Sequence, residues 1–562
     1  MRTRTVALLW LAVTAGLAAP GALAASQPAT ATAAGTATDD QSRPDVRPNR
    51  SVDSPRLVGA YPNPVARDDA GEFVVLEVPP GTNLSSHRLA DDGRNVALPN
   101  VTTSGRVVLS NDANRSRRLL GDETRVVAAD PPPLANGGER VRLLRNGTVV
   151  DSFTYRDAPE GERYVREEGS TWRPLGATDR RVTTSGPTTA TAFVLPDSPE
   201  VAVDALSDAE ERVLLAGYTF TSPRITEELL AAHRRGVRVE VLVEGGPVGG
   251  LTTPQARALD RLVRAGVPVR AMGGPRARYA YHHAKYAVVD DRALVLTENW
   301  KPSGVGGRAS RGWGTLVDDA TTANALAETF RADAGWLDAR PWRTWRANAS
   351  VHEETPAAGD YPRHVAPERV PVERVRTLVA PDNAEPALRG VVGNASESLD
   401  VVQVSLGGPD GPFTSAAVDA ARRGVRVRIL LSGAWYVRDE NAALARQLNA
   451  VAEAEDLPLS VRLADPGGRF EKVHAKGVVV DDSVAVVGSL NWNAHAAREN
   501  REVALVLEGE SVGGYYADAF EADWTTSGDG ASREFPVGVA LGGLVAVVGA
   551  LVLARRVEFD PE

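Results

Sequence analysis

The 562-residue chain carries a formal net charge of −10 and no cysteine, with a pI near 5.5. Absence of cysteine excludes disulfides, thiolate nucleophiles and cysteine-ligated zinc. The acidic balance argues against a general polyanion-binding surface while leaving room for a local basic pocket, and the length suggests two to four domains.

In chain order, "MRTRTVALLWLAVTAGLAAPGALAASQ" has two arginines, a short apolar run and Ala22-Leu23-Ala24, the layout of a secretory signal peptide over residues 1–25. Residues 26–54 have no hydrophobic period and read as a disordered linker. Residues 55–156 offer short alternating runs such as "GEFVVLEV", "GRVVLS" and "TVVDSFTY", separated by Gly, Pro, Asn and Asp, which predict an all-β sandwich. Its stretches "GAYPNP…DDAGEFVVLEV", "LADDG" and "LANGGERVRLLRNGTVVDSFTY" resemble a lamin-tail domain, which implies an immunoglobulin-like sandwich with a binding role and an unknown ligand. Residues 157–188 read as a connector. Seven Asn-x-Ser/Thr sequons begin at Asn49, Asn83, Asn100, Asn114, Asn146, Asn348 and Asn394, open to glycosylation in an exported protein.

Residues 189–350 and 373–527 are two copies of one unit, joined by a Pro-rich, charged linker over 351–372. "LLAAHRRGVRVEVLVEGG" in the first matches "AVDAARRGVRVRILLSGA" in the second, each a helix closing at a glycine before a β-branched strand. Alternation of such helices and strands predicts α/β halves with covered sheets, packed about a pseudo-twofold axis. After the second copy, Phe535 to Ala554 gives twenty uncharged residues followed by Arg555 and Arg556. This predicts one transmembrane helix over 535–554 with a cytoplasmic tail over 555–562, leaving the bulk of the chain outside the cell.

The chain has four lysines, Lys285, Lys301, Lys472 and Lys476, and two of them sit in a repeated motif: "YHHAKYAVVDD" and "KVHAKGVVVDD". On an extended strand, residues two apart share a face, so His283 lies beside Lys285 and His474 beside Lys476. Each motif continues as strand, Asp-Asp turn and returning strand, which brings Asn299 back towards His283 and Ser489 with Asn491 back towards His474. Imidazole, ammonium and neutral donors suit a phosphodiester: imidazole can attack phosphorus or protonate the leaving oxygen, while the others stabilise the non-bridging oxygens. One half supplies a single imidazole. Two halves face to face supply a nucleophile and a general acid.

The pattern His-x-Lys-x4-Asp-x6-Gly-Ser-x-Asn, met in full by His474, Lys476, Asp481, Gly488, Ser489 and Asn491, resembles the signature of the phospholipase D superfamily. The first copy supplies His283, Lys285, Asp290 and Asn299. The resemblance implies two duplicated α/β/α halves and a cofactor-free, metal-independent displacement through a phosphohistidine. It favours His283 as nucleophile and His474 as acid, with Lys285, Lys476, Asp290 and Asp481 completing the catalytic set. In the first copy "LTENW" stands where the second has "GSLNW", and Asp290 to Asn299 is one residue shorter than Asp481 to Asn491. Because a one-residue change within a strand reverses facing, the loss is expected at the turn, with Thr297 matching Ser489 and Glu298 pointing away. Glu502 stands where the resemblance implies a carboxylate orienting a histidine. The first copy offers Gly314 there, so only one half has that support unless Asp290 or Asp481 provides it.

Trp300 and Trp492 suit either a site floor or the core. His282 should face away from the motif and His495 should lie at the surface, while Arg276, Arg278, Arg469 and Lys472 could steer an anion or serve as solvated loop charge. The expected activity is that of an exported, membrane-anchored phosphodiesterase, with a phospholipid substrate slightly ahead of nucleic acid. A catalytically weakened surface-binding scaffold is the alternative of a different class, and phosphatidyl transfer of the cardiolipin synthase type is the least favoured enzymatic reading.

Overall fold

The computed structural model describes residues 54–64, 70–120, 124–166, 171–274 and 277–527. The segments read as signal peptide and transmembrane helix lie outside these, and among the described residues no helix is long and apolar enough to cross a membrane.

The N-terminal region is mainly β but not all-β as expected, since one α-helix, Ala113–Leu120, joins the strands Thr102–Ser110 and Arg125–Ala128. A six-stranded sheet runs in the order Thr171–Pro174, Glu162–Val165, Arg56–Tyr61, Phe73–Asn83, Thr102–Ser110, Arg125–Ala128, and a four-stranded sheet in the order Asn95–Ala97, His87–Ala90, Gly138–Arg145, Thr148–Arg156. Alternate residues of both sheets, among them Leu57, Leu76, Leu89, Leu143 and Phe153, share one apolar cluster. The segment read as a connector therefore adds two strands to the larger sheet. Its last strand, Thr183–Ser185, pairs with Arg374–Ala380 in the second α/β half.

The two copies form two mixed sheets. The first runs Ala339–Pro341, Val269–Met272, Arg238–Glu244, Arg212–Gly217, Tyr286–Val289, Arg292–Leu296, Ser310–Val317, Thr188–Leu195, Glu368–Val372. The second runs Thr183–Ser185, Arg374–Ala380, Glu502–Glu508, Val484–Gly488, Gly477–Val480, Ser398–Gln403, Arg426–Leu431, Leu459–Leu463. The last strand of the supposed linker, Glu368–Val372, closes the edge of the first sheet. Hence the region between the copies is partly structural, because its alternating apolar residues, Val370 and Val372, enter the core.

The repeated helix–glycine–strand unit forms as the spacing predicts. Ser222 caps helix Pro223–Arg235 by accepting the amide of Ile225, and Gly236 ends it at φ +96°. In the second copy Gly424, at φ +93°, follows helix Pro412–Arg422. Each glycine takes the left-handed conformation that releases the chain into a central parallel strand.

A single apolar cluster spans both copies, with Tyr286, Trp313 and Val295 from the first and Val479, Val487 and Tyr516 from the second. Trp313 stacks on Tyr516 at 4.8 Å and lies against Gly477, where an added Cβ would fall 2.2 Å from its ring. Backbone pairing also crosses the seam: Arg501 O accepts the amide of His283, and Arg311 O accepts that of His474, both at 2.9 Å. The same two arginines are buried ion-pair partners. Arg501 meets Asp333 at 3.0 Å, and Arg311 meets Asp197 at 2.5 Å and Asp523 at 2.9 Å. Such pairs add little net stability but are costly to break singly, so they fix how the copies dock.

Candidate active site

Both hairpins form, and they differ where the length difference required. Strand Tyr286–Val289 returns through a two-residue turn, pairing Val289 with Arg292. Gly477–Val480 returns through a three-residue turn, pairing Val480 with Val484. With the loss absorbed at the turn, the strands keep their facing. Thr297 N donates to Trp313 O as Ser489 N donates to Val503 O, each at 2.9 Å, so Thr297 does correspond to Ser489. The same pairing makes Gly312, not Gly314, the counterpart of Glu502.

The seam pairing carries each histidine into the territory of the other half. His283 Nδ1 lies 2.8 and 3.0 Å from the two carboxylate oxygens of Glu502, a residue of the second half. Asn500 donates to Oε1 of the same carboxylate at 3.0 Å. His474 Nδ1 lies 3.3 Å from Oε2 of Glu298, a residue of the first half. This corrects the expectation that Glu298 points away. Its carboxylate turns back over Gly312, where no side chain competes, and both carboxylates are essentially buried, at 2% and 1% exposure for Glu298 and Glu502.

Each lysine folds back on its own histidine: Lys285 Nζ donates to His283 O at 2.5 Å and Lys476 Nζ to His474 O at 2.6 Å. Lys476 also crosses the seam to Thr297 O at 3.5 Å. Tyr218, absent from the motif-based reading, packs edge-on to the His283 ring at 4.7 Å and lies under Lys285 Nζ at 5.2 Å. No repeat signal marked it, because it stands alone in a loop after strand Arg212–Gly217.

Burial dominates the electrostatics. It pushes His283 down to about 4 against the pull of Glu502, with Lys285 and Lys476 adding to the shift. Burial followed by Lys476 pushes His474 to about 4. Lys476 falls to about 8 through burial, and Lys285 is held well below its ordinary value by the same cause. For Glu502 burial acts upward, but His283, Lys285 and Ser489 outweigh it and keep the carboxyl below its usual range. The free site thus holds neutral imidazoles, 12% and 20% exposed, beside Lys476 and Lys285, whose side-chain nitrogens have no carboxylate in ion-pair contact among the described residues. A phosphate would supply that charge and restore basicity to the imidazoles.

Other candidates separate clearly. Asp290 and Asp481 sit at the hairpin turns, at φ +53° and +50°, at the far end of each motif strand from the imidazoles. Asp290 accepts the amides of Glu210, Glu211 and Arg212; Asp481 accepts those of Ser396, Glu397 and Ser398. The structure therefore does not bring these aspartates to the imidazoles, and it gives them a turn-locking place instead. Ser489 and Thr297 are buried, with hydroxyls bonded to Val503 and Trp313 of the adjacent strands. Asn299 and Asn491 are half-buried, and Asn299 Oδ1 has no partner among the described residues.

Trp300 and Trp492 are core residues, at 0% and 1% exposure. His282 faces away into the core, 3.8 Å from Asp333, and His495 is a surface residue beside Glu499. Arg278 and Arg469 are neither steering nor solvated charges. They are buried against Asp338 and Asp523. Arg276 lies outside the described residues.

Two imidazoles, two ammonium groups and two carboxylates thus meet at one seam. The family model described as "Cardiolipin synthase, PLD-like domain" matches residues 202–334 and 388–524, one stretch in each half. Mitochondrial cardiolipin hydrolase of Xenopus tropicalis is 30% identical over 154 residues, covering 27% of this chain and 67% of that protein. The chain belongs to the phospholipase D-like family. Within this family, cardiolipin synthase B of Shigella flexneri is similar over a longer span, 24% identical over 325 residues, 54% of this chain and 72% of that protein. The solved phosphatidylserine synthase of Haemophilus influenzae Rd KW20 aligns with a TM-score of 0.46 at 15% identity, over 60% of this chain and 86% of that one. The phospholipase D-like match has one stretch in each copy, and both stretches begin after the N-terminal β-rich region.

Proposed function

We propose that this chain is a phosphodiesterase that cleaves its substrate through a phosphohistidine intermediate at the seam between the two halves. The observation that carries the reading is the cross-seam exchange: each imidazole belongs to one half and meets its carboxylate from the other. A carboxylate on Nδ1 sets the tautomer and leaves the Nε2 lone pair for chemistry. His283, held by both oxygens of Glu502, is the nucleophile. His283 Nε2 attacks phosphorus, and the bond to the leaving oxygen breaks as protonated His474 gives that oxygen its proton. His474, now neutral, takes a proton from water while the water oxygen attacks phosphorus and the P–N bond breaks. Lys285, Lys476 and the amides of Asn299 and Asn491 stabilise the non-bridging oxygens.

A phospholipid is the favoured substrate. Val248 (75% exposed) and Trp435 (76%) are large apolar side chains left open to solvent, with Tyr436 beside Trp435. They stand on the loops after the corresponding strands Arg238–Glu244 and Arg426–Leu431. The amide of Val248 donates to the Tyr218 hydroxyl and the Tyr436 ring lies 5.7 Å from Lys472 Nζ, which puts both loops beside the histidine segments. Apolar and aromatic groups around a polar site suit an acyl chain and headgroup interface. The same intermediate passed to an alcohol rather than water would make the chain a transferase, a second reading favoured by the long similarity to cardiolipin synthase B. Export by residues 1–25, anchoring by residues 535–554 and a binding role for the lamin-tail-like N-terminal region complete the proposal, each resting on the sequence pattern.

The test is a panel of phospholipids and single- and double-stranded DNA offered to the purified chain at low and high salt, with and without glycerol as acceptor. Release of headgroup from vesicles is expected. Cleavage of DNA alone, with a rate falling steeply as salt rises, would overturn the lipid assignment, and loss of free phosphatidate to a glycerol adduct would convert hydrolase to transferase.

A further inference from the structure

The two halves do not support their histidines from the same position. Glu298 lies in the segment that follows the returning strand of the first half, and its counterpart in the second half is Leu490, which is buried in the apolar core of that half. Gly312 lies on the next strand, and its counterpart is Glu502. A Cβ added at Gly312 would fall 2.2 Å from Cγ and 2.6 Å from Oε1 of Glu298. The volume that a glutamate at 312 would enter is already filled by the glutamate at 298. Leucine and glutamate in one half have become glutamate and glycine in the other.

We infer that Glu298 is the positioning residue for His474, a carboxylate supplied from the segment after the returning strand instead of from the next strand, so that both imidazoles are supported across the seam. The inference rests on the phosphodiesterase reading above and adds a residue to it. An unpartnered buried carboxylate is costly; here His474 Nδ1 lies 3.3 Å away, and Lys476 and Lys285 both lie within the field of the carboxylate. Glu298 touches no reacting atom. It holds the ring of His474, beside which Lys476 Nζ lies 3.2 Å from Nδ1 and 3.4 Å from Nε2, in the orientation that delivers a proton from Nε2.

The experiment compares two leaving groups. Glu298→Gln should slow cleavage of whichever alkyl phosphodiester the wild type accepts by about 100-fold, the cost of a misplaced catalytic group. A p-nitrophenyl phosphodiester needs no proton on its leaving group, so the first step should survive, and the variant should release a burst of nitrophenol while the phosphohistidine accumulates. Glu298→Ala/Gly312→Glu, which places the carboxylate where the second half has it, should recover about tenfold or more over Glu298→Ala. Equal slowing of the first step, read from the burst, for both substrates by Glu298→Gln, or no slowing of either, overturns the inference, as does a folded double variant no faster than Glu298→Ala. If the double variant fails to fold, the two rates of Glu298→Gln decide. A wild-type chain that never transfers labelled phosphate to a histidine would instead sink the phosphodiesterase reading, whatever Glu298 does.

Discussion

The second half carries its supporting carboxylate on the strand Glu502–Glu508, paired edge to edge with the returning strand, and braces it with Asn500. The first half carries its own in the segment after the returning strand, without an equivalent brace, over a glycine. Both reach an imidazole of the opposite half, at 2.8 Å in one case and 3.3 Å in the other. Duplicated halves are thus constrained by what must sit beside the imidazole rather than by which backbone position supplies it. A carboxylate can be supplied from the neighbouring chain segment if the volume it enters is left empty, as Gly312 leaves it for Glu298.

The sharpest way to break this comparison is to remove each imidazole in turn. His283→Ala and His474→Ala should each reduce kcat by about 10⁴-fold or more, because nucleophile and acid act as one unit. Substantial turnover by either variant would show that one half suffices. Next in size, Glu502→Gln should cost about 10³-fold and exceed the loss from Glu298→Gln, since Glu502 meets its imidazole with both oxygens. Equal losses would mean that the tighter contact carries no catalytic weight.

Smaller effects separate turn from site. Asp290→Asn and Asp481→Asn should each destabilise the fold by roughly 1–3 kcal/mol, read from denaturant midpoints, with the turnover of the folded fraction unchanged. Asp481 should cost more, as it also accepts the hydroxyl of Ser396 at 2.7 Å. A selective loss of turnover would return the aspartates to the catalytic set.

The smallest effects are in pH dependence. Lys476 loses its charge as pH rises through about 8, so KM for an anionic phosphodiester should climb from there upward, and a flat KM to pH 10 would remove Lys476 from the phosphate site. His283 and His474 titrate near 4 when folded and near 6.5 when unfolded. The unfolded chain therefore binds more protons between those values, and stability should fall as pH drops from about 6.5 to 4. Replacing either histidine by Gln should flatten that fall, measurable by thermal melts across the window.

Much of this was legible beforehand because it depends on local rules. Helix, left-handed glycine and β-branched strand recur at Gly236 and Gly424, and hairpin facing is protected by putting the length difference in the turn, so Thr297 and Ser489 could be matched by parity alone. Arg278 and Arg469 were not legible. An arginine beside an anion-binding motif has the same appearance whether it faces solvent or Asp338 and Asp523, and only the packing of distant segments separates the two. Glu298 was misread for a related reason: alternation gives the face of a strand, but a long side chain at its end turns towards whatever space its neighbours leave, and that space was set by Gly312.

The duplication, the two histidine–lysine pairs and the hairpins that carry them follow from periodicity and spacing along the chain, and the carboxylate at Glu502 from the resemblance of its motif to the phospholipase D pattern. The tertiary structure alone decided that each imidazole crosses to the other half, that Glu298 rather than an aspartate supports His474, and that the supposed connector and linker supply sheet edges. Those outcomes depend on pairings such as His283 with Arg501 and His474 with Arg311, between residues more than a hundred positions apart in the chain. Long-range hydrogen bonds, buried charge and the empty volume over a glycine leave no local pattern from which they could be read.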